Sequence, residues 1–309
     1  MKKAAVLFPG QGAQYAGMGK NIYDKYDYVR DIYKNADNVL GFKISDICFS
    51  DPEALLNTTE YSQPAIFTTS MAYFEILKRS VDFEIFAMLG LSLGEYSALT
   101  ASGVIALEDA LKIVRLRGQL MQEAGELNPG GMVSIIGLDR ETVKDICASA
   151  KGDTGVCCQI ANLNCPGQIV ISGDNDSLER AIVLAKNAGA KKSIKLNVSG
   201  AFHSDLMEPA REGLEYELAK YKFSNPKNKF IPNVIAELCR DPVLIKKLLV
   251  DQVCKPVLWE DSVIYAAKSG CDLFVEVGPG NVLKGLCKRI DKTLSVVNME
   301  EDTLSNIAA

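Results

Sequence analysis

The sequence predicts an α/β protein: a large domain built on a mostly parallel sheet, interrupted by a small β-α-β-β-α-β insert. Three observations carry this prediction. Strand-like apolar runs alternate with helical patterns from "AAVLF" to about residue 125, the rhythm of a parallel sheet covered on both faces. From about Gly130 the rhythm changes to four short strands and two helices, ending near residue 198. A length of 309 residues suits one large domain or two unequal ones. These readings place a core at 1–128 and 198–309 and a small subdomain at 129–197.

Each element has its own justification. "AAVLF" is a buried strand and runs into the Gly-rich turn "PGQGAQYAGMG". "QPAIFTTSMAYFEILKR" (63–79) is a helix, with Pro64 in the first turn, where a missing N–H is harmless. "FEIFAMLG" (83–90) is the next strand, followed by a helix over "GEYSALTASG" that stops at Gly103. "LEDALKIVRLRGQLMQEAG" (107–125) is helical, with apolar residues at 107, 111, 114 and 121. In the insert, "MVSIIG" (132–137) is a strand and "RETVKDICASAK" (140–151) a helix. "VCCQIAN" (156–162) and "QIVISG" (168–173) are strands joined by the turn "LNCPG". "SLERAIVLAKNAG" (177–189) is a helix and "KKSIKLNV" (191–198) the last strand, which completes a ferredoxin-like order. After "SGAFHSDLM" the chain returns to helix and strand, closing with "DLFVEVGPGNVLKGLCKRI". The polar tail "EEDTLSNIAA" is expected to fray.

Composition narrows the function. A formal charge of −5 argues against nucleic acid as the main partner, because phosphate contacts need a basic surface. Nine cysteines with no C-x-x-C pair read as buried thiols in a reducing compartment rather than as disulfides. A single histidine and no paired cysteine spacing leave no zinc pattern. In "MKKAAVLFPGQG" Pro and Gly break the apolar run short of a signal-peptide core. No run approaches the ~20 residues of a membrane helix. A cytoplasmic monomer without a membrane partner is expected.

Chemistry concentrates in "LGLSLGEYSAL", where Gly90, Ser92 and Gly94 make the G-x-S-x-G spacing of a nucleophile elbow. The strand before it and the helix after it are what an elbow requires. The amide of Leu93, at the new helix's start, would point where an oxyanion forms. The alternative is an ordinary strand–helix turn with a capping serine. A serine needs a base, and the chain's one histidine, His203, lies 111 positions downstream in a Gly-containing loop at the domain junction. It is either that base or a satisfied structural histidine. Arg117 shares a helix face with Ala110, Val114 and Met121, inside the apolar stripe. A buried guanidinium needs a partner, either a structural carboxylate such as Glu95 or Glu123 or the carboxylate of a substrate. "FPGQGAQ" lacks the Lys-Ser/Thr of a P-loop. Its Gly10 and Gly12 allow close backbone approach, and an amide of this loop is a candidate second oxyanion donor.

Together these pieces resemble one family, the malonyl-CoA:acyl carrier protein transacylases of bacterial fatty-acid synthesis. The resemblance rests on "FPGQGAQ", "GLSLGEYSAL", "RLRGQLMQ", "NLNCPGQIVISG", "FHSDLM", "DQVCKPVLW" and "FVEVGPGNVL", in order along nearly the whole chain. It implies an α/β-hydrolase-like core with a ferredoxin-like subdomain. Ser92 would attack the malonyl thioester, with His203 as base and then acid. Gln252 matches the glutamine position that helps orient the histidine. The amides of Gln11 and Leu93 would form the oxyanion hole, and Arg117 would hold the malonyl carboxylate, with Met121 also at the substrate. Malonyl-CoA is then the donor and the phosphopantetheine thiol of acyl carrier protein the acceptor, with no permanently bound cofactor and no metal. The family usually reads G-H-S-x-G, whereas position 91 here is Leu. Stand-alone polyketide acyltransferases, acyl hydrolases and a non-catalytic carrier-docking subunit are the alternatives; Arg117 speaks against the hydrolase. The acidic carrier would dock near Lys284, Lys288 and Arg289. The shape around Phe202 would decide malonyl against methylmalonyl.

Overall fold

The computed structural model describes residues 2–80, 83–151 and 157–300. Of the tail expected to fray (300–309), Glu300 is held by Tyr73 and the Gly280 N–H, and residues 301–309 lie outside the described residues, as does the first residue of the strand expected at 156–162. The first strand, β1 (Lys3–Phe8), is buried at every position from Ala4 to Phe8. Strand residues alternate in direction, so Ala4, Val6 and Phe8 enter one apolar core while Ala5 and Leu7 enter another on the opposite face. After the Gly-rich turn come three helices that the element-by-element reading passes over: α1 (Lys20–Lys25), α2 (Asp27–Leu40) and α3 (Ile44–Phe49).

Helix α4 (Thr59–Ser80) starts four residues before the expected boundary and leaves Pro64 in its second turn. Pro64 there forfeits a hydrogen bond to the carbonyl of residue 60. Burial of nearly every residue from Ser62 to Leu77 outweighs that loss. Strand β2 (Glu84–Gly90), helix α5 (Gly94–Ala101) and helix α6 (Leu107–Leu127) follow where they are expected.

The insert contains β3 (Gly130–Ile136), α7 (Arg140–Lys151), β4 (Cys158–Cys165), β5 (Gln168–Asp174), α8 (Asn175–Asn187) and β6 (Lys192–Lys195). Its four strands form an antiparallel sheet in the order β4-β5-β3-β6, over a core of its own. The expected turn "LNCPG" shrinks to Pro166 and Gly167, because β4 stays paired as far as Cys165↔Gln168 and Gly167 supplies a φ of +71°. Strand β6 is shorter than expected: Leu196 N–H still donates to the Met132 carbonyl at 2.9 Å, Asn197 and Val198 run on beyond the sheet, and all three line a cavity.

The remainder is α9 (Glu208–Leu218), β7 (Lys229–Phe230), α10 (Pro242–Asp251), α11 (Trp259–Lys268), β8 (Leu273–Glu276), α12 (Val282–Ile290) and β9 (Val296–Asn298). The second sheet runs β7-β2-β1-β8-β9, with every pair parallel. Main-chain and side-chain contacts both fasten the insert to this larger body. Val257 N–H donates to the Ala161 carbonyl at 2.8 Å, and Leu163 N–H donates to that of Val257 at 2.9 Å. Arg140 forms a bidentate pair with Asp261 at 2.7 and 2.9 Å. Among the described residues no helix is long and apolar enough to cross a membrane.

Candidate active site

Strand β2 hands over to α5 through Leu91, Ser92 and Leu93. Ser92 has a φ of 50°, the left-handed region that a side chain rarely adopts. Close backbone approach explains the surrounding glycines. A Cβ at Gly90 would lie 1.9 Å from the Gly94 carbonyl carbon, and one at Gly94 would lie 2.1 Å from the Phe8 carbonyl oxygen. A Cβ at Gly10 would meet the Leu91 carbonyl oxygen at 2.3 Å. The end of β1 and its Gly-rich loop therefore pack directly on the turn, and Leu91 N–H donates to the Phe8 carbonyl at 3.0 Å. Leu91, where the family usually has His, contributes main-chain bonds to the turn. Its half-buried side chain packs against the second apolar core.

His203 meets Ser92 at this turn despite the separation in sequence, with 2.8 Å between Nε2 and Ser92 Oγ. The histidine is buried and also left-handed, with a φ of 58°. Its Nδ1 lies 2.7 Å from the Gln252 main-chain carbonyl. A carbonyl only accepts, so Nδ1 carries the proton and Nε2 presents a lone pair to the serine hydroxyl. Burial, and then the charge of Arg117, bring the His203 pKa down to about 4, against the opposing pull of the Gln252 carbonyl. The imidazole is neutral at pH 7.

Arg117 is 1% exposed, deep in the stripe where helical periodicity places it. Its Nη1 donates to Gln63 Oε1 at 2.7 Å, and its Nη2 to Gln252 Oε1 at 2.9 Å and Ser92 Oγ at 3.0 Å. The guanidinium lies 5.5 Å from the centroid of the Tyr96 ring. Among the described residues no carboxylate pairs with it. Glu123 is exposed, and Glu95 reaches it through the Gln252 amide. Arg115, at the edge of the stripe, does find a carboxylate in Glu60.

The polar groups open on a cavity of about 430 Å³ lined by Gln11, Ser92, Leu93, Arg117, Met121 and His203, with Phe202 beside them. Among the described residues the main-chain N–H groups of Gln11 and Leu93 take no hydrogen-bond partner. Gln252 lies behind the cavity wall, where its carbonyl serves His203. Its side-chain amide serves Arg117, the Ser92 carbonyl (3.0 Å) and Glu95. Burial pushes the Glu95 carboxyl up to about 8, although hydrogen bonds from Asn233 and Gln252 pull it down. Val282 and Leu286 of α12 line the cavity. On the same helix Lys288 donates to the Leu294 carbonyl, and Arg289 reaches Gln168 of the insert.

Two residues of this arrangement escape the sequence reading. Gln63 holds Arg117 and donates to Met121 Sδ at 3.7 Å. Asn233 accepts from Ser92 N–H at 2.8 Å.

A hydroxyl bonded to a neutral imidazole, two unpartnered amides and a buried cation around one cavity suit acyl transfer through serine. The chain belongs to the acyl transferase family, whose domain model matches residues 6–304. It is 40% identical over 308 residues to the malonyl CoA-acyl carrier protein transacylase of Bacillus subtilis, covering 100% of this chain and 96% of that one. An acyl carrier protein S-malonyltransferase from Vibrio cholerae superposes with a TM-score of 0.93 at 41% identity, over 96% of each chain. A malonyl-transacylase solved in complex with its type II polyketide acyl-carrier protein superposes with a TM-score of 0.94 at 37% identity, over 99% of this chain and 98% of that one. Within the acyl transferases, the chain is a malonyl-CoA:acyl carrier protein transacylase family member.

Proposed function

We propose that this protein moves a malonyl group from malonyl-CoA to the phosphopantetheine thiol of an acyl carrier protein, through a malonyl ester on Ser92, in fatty-acid synthesis. The observation that carries this reading is Arg117: a buried guanidinium beside the serine, with no carboxylate partner among the described residues. The free carboxylate of a malonyl group supplies that partner, which acetyl lacks. The relatives named above act on malonyl-CoA and acyl carrier protein, in keeping with this choice.

In the first half-reaction Ser92 Oγ attacks the thioester carbonyl as His203 Nε2 takes its proton. The oxyanion of the tetrahedral intermediate faces the N–H groups of Gln11 and Leu93. The C–S bond then breaks, and the CoA sulfur leaves as a thiol with the proton held by His203. The carrier thiol reverses these steps: it gives its proton to His203, attacks the ester and releases Ser92. Gln252 orients His203 through its carbonyl, and Met121 forms an apolar wall for the malonyl methylene. This chemistry uses no resident cofactor or metal.

The finer architecture is part of the same reading. The core at 1–128 and 198–309 is α/β-hydrolase-like, with a strand–elbow–helix at Ser92, and 129–197 is a ferredoxin-like subdomain. Both are supported by the element and strand orders given above. The protein works in the cytoplasm as a monomer, and the carrier docks beside α12.

The test is intact-protein mass spectrometry after brief incubation with malonyl-CoA, beside acetyl-CoA and a Ser92→Ala control. One malonyl group per chain is expected, weak with acetyl-CoA and absent in the control. Rapid release of free malonate without an adduct would identify a hydrolase instead. Neither adduct nor turnover would leave a carrier-docking subunit.

A further inference from the structure

We infer that Asn233 is a positioning residue for the reaction: its side-chain amide holds the Ser92 turn in its left-handed conformation. This inference rests on the reading of Ser92 as the nucleophile. Ser92 pays a conformational penalty at a φ of 50°, so something must hold it there. The glycines around it permit the turn but do not enforce it.

Asn233 is fully buried and grips the turn from two sides. Its Oδ1 accepts from Ser92 N–H at 2.8 Å, and its Nδ2 donates to the Gly90 carbonyl at 2.6 Å. These main-chain groups flank the turn, and one of each kind is offered. A carboxamide presents a donor and an acceptor on two separate atoms of one short side chain without charge. Asn233 is itself fixed at both main-chain groups. Its N–H donates to Glu95 Oε1 at 2.8 Å, and its carbonyl accepts from Leu258 N–H at 2.9 Å. Gln252 Nε2 completes the frame, 3.3 Å from Asn233 Oδ1 and 3.0 Å from the Ser92 carbonyl. A residue that never touches the cavity thus sets the direction of Ser92 Oγ toward His203 Nε2.

The grip bears on the chemical step more than on substrate capture, since Arg117 bonds no atom of Asn233 directly and keeps its partner Gln63 whatever stands at position 233. Asn233→Ala is therefore expected to lower kcat by about 10²-fold, the scale of a misplaced reacting group. Its KM for malonyl-CoA is expected to stay within about twofold of wild type. A kcat within about threefold of wild type, or a KM that rises while kcat holds, overturns the proposal.

Should Asn233→Ala not fold, as judged by circular dichroism, Asn233→Asp replaces it because it fills the same space. Protonated, its O–H substitutes for the lost N–H donor to Gly90. Ionised, it sets a carboxylate oxygen against the Gly90 carbonyl. The ionisable groups around this position are Glu95 on α5, Arg117 on α6 beyond Gln252, and His203 beyond Ser92. Glu95, with a pKa of about 8, and His203, at about 4, keep one main form each from about pH 7.5 to 5.5. The variant's kcat relative to wild type is expected to rise across that interval as the pH falls, by up to about tenfold per pH unit. A ratio independent of pH overturns the proposal. Wild-type protein run in parallel separates the two readings: if it takes no malonyl group itself, the assignment of Ser92 has failed, whatever position 233 does.

Discussion

The two sheets meet at one cavity but contribute opposite kinds of residue to it. Among the described residues, the left-handed non-glycine positions are Asp51, Ala54, Ser92, His203 and Ala236, all outside the insert. The buried carboxyl, guanidinium and imidazole groups, Asp37, Glu95, Arg117, His203 and Glu276, also lie outside it. The polar side chains that the insert buries, Ser134, Asn162, Ser172 and Ser177, are neutral. Its cavity wall consists of Met132, Asn162, Asn164, Gln168, Val170, Leu196 and Asn197. Strain and buried charge are costly, and the larger body, with apolar cores on both faces of its parallel sheet, is the part able to stabilise them. The insert closes the cavity with ordinary antiparallel strands. Reactivity therefore resides in the larger body, while the insert contributes only cavity wall, and that wall can be perturbed without the reacting groups.

The largest way to test that division is at Arg117. Arg117→Ala removes what is, among the described residues, the one buried cation beside Ser92. It is expected to lower kcat/KM for malonyl-CoA by ~10²–10³-fold, the effect of truncating one member of a buried charge pair. Acetyl-CoA has no carboxylate to lose, so its kcat/KM should change far less. Steady-state rates with both thioesters check this. Equal losses with both would mean that Arg117 acts on the serine and not on the acyl carboxylate.

A smaller effect is expected in the pH profile. The protonated imidazole cannot accept the serine proton, so kcat/KM falls as pH drops through the pKa of His203 in the free enzyme. Burial and Arg117 lower that pKa to about 4. The profile should therefore stay flat well below the ordinary histidine value of about 6.5 and fall only near 4. In Arg117→Ala one of the two depressing causes is gone, and the acid limb should move toward higher pH. A wild-type limb already near 6.5 would contradict the buried, cation-flanked histidine described above.

The same contrast explains which features were legible in the sequence. The elbow could be read because its glycines answer to local backbone geometry and lie between a strand and a helix. Arg117 could be read because helical period alone places it among Ala110, Val114 and Met121, and the helix buries all of them. His203 followed by elimination, as the one histidine in the chain. Helix α2 carried a readable signal too: Val29, Tyr33, Ala36 and Leu40 are buried at helical spacing, amid charged residues that mask the stripe. Asn233 carried none. Its partners are main-chain groups 141 and 143 positions away, and an amide in a loop has no period. The Gln252 carbonyl that orients His203 belongs to the backbone, so the side chain at that position says nothing about it. Pro64 misplaced the start of α4 because local propensity yields to tertiary burial.

The smallest expected effect lies in the insert. Val170 is buried on β5 and lines the cavity across from the reacting groups. Val170→Ala enlarges the cavity without touching a polar contact of Ser92, His203 or Arg117. Its kcat/KM for malonyl-CoA should stay within about threefold of wild type, and its acid limb should remain near 4. Discrimination against methylmalonyl-CoA should weaken, by about tenfold at the low end of what one methylene is worth in an apolar pocket. Competition between the two thioesters, read as the mass of the acylated protein, measures that ratio directly. If Val170→Ala instead moved the acid limb or slowed acylation as strongly as Arg117→Ala, the insert would be part of the reactive machinery, and the confinement of reactivity to the larger body would not hold.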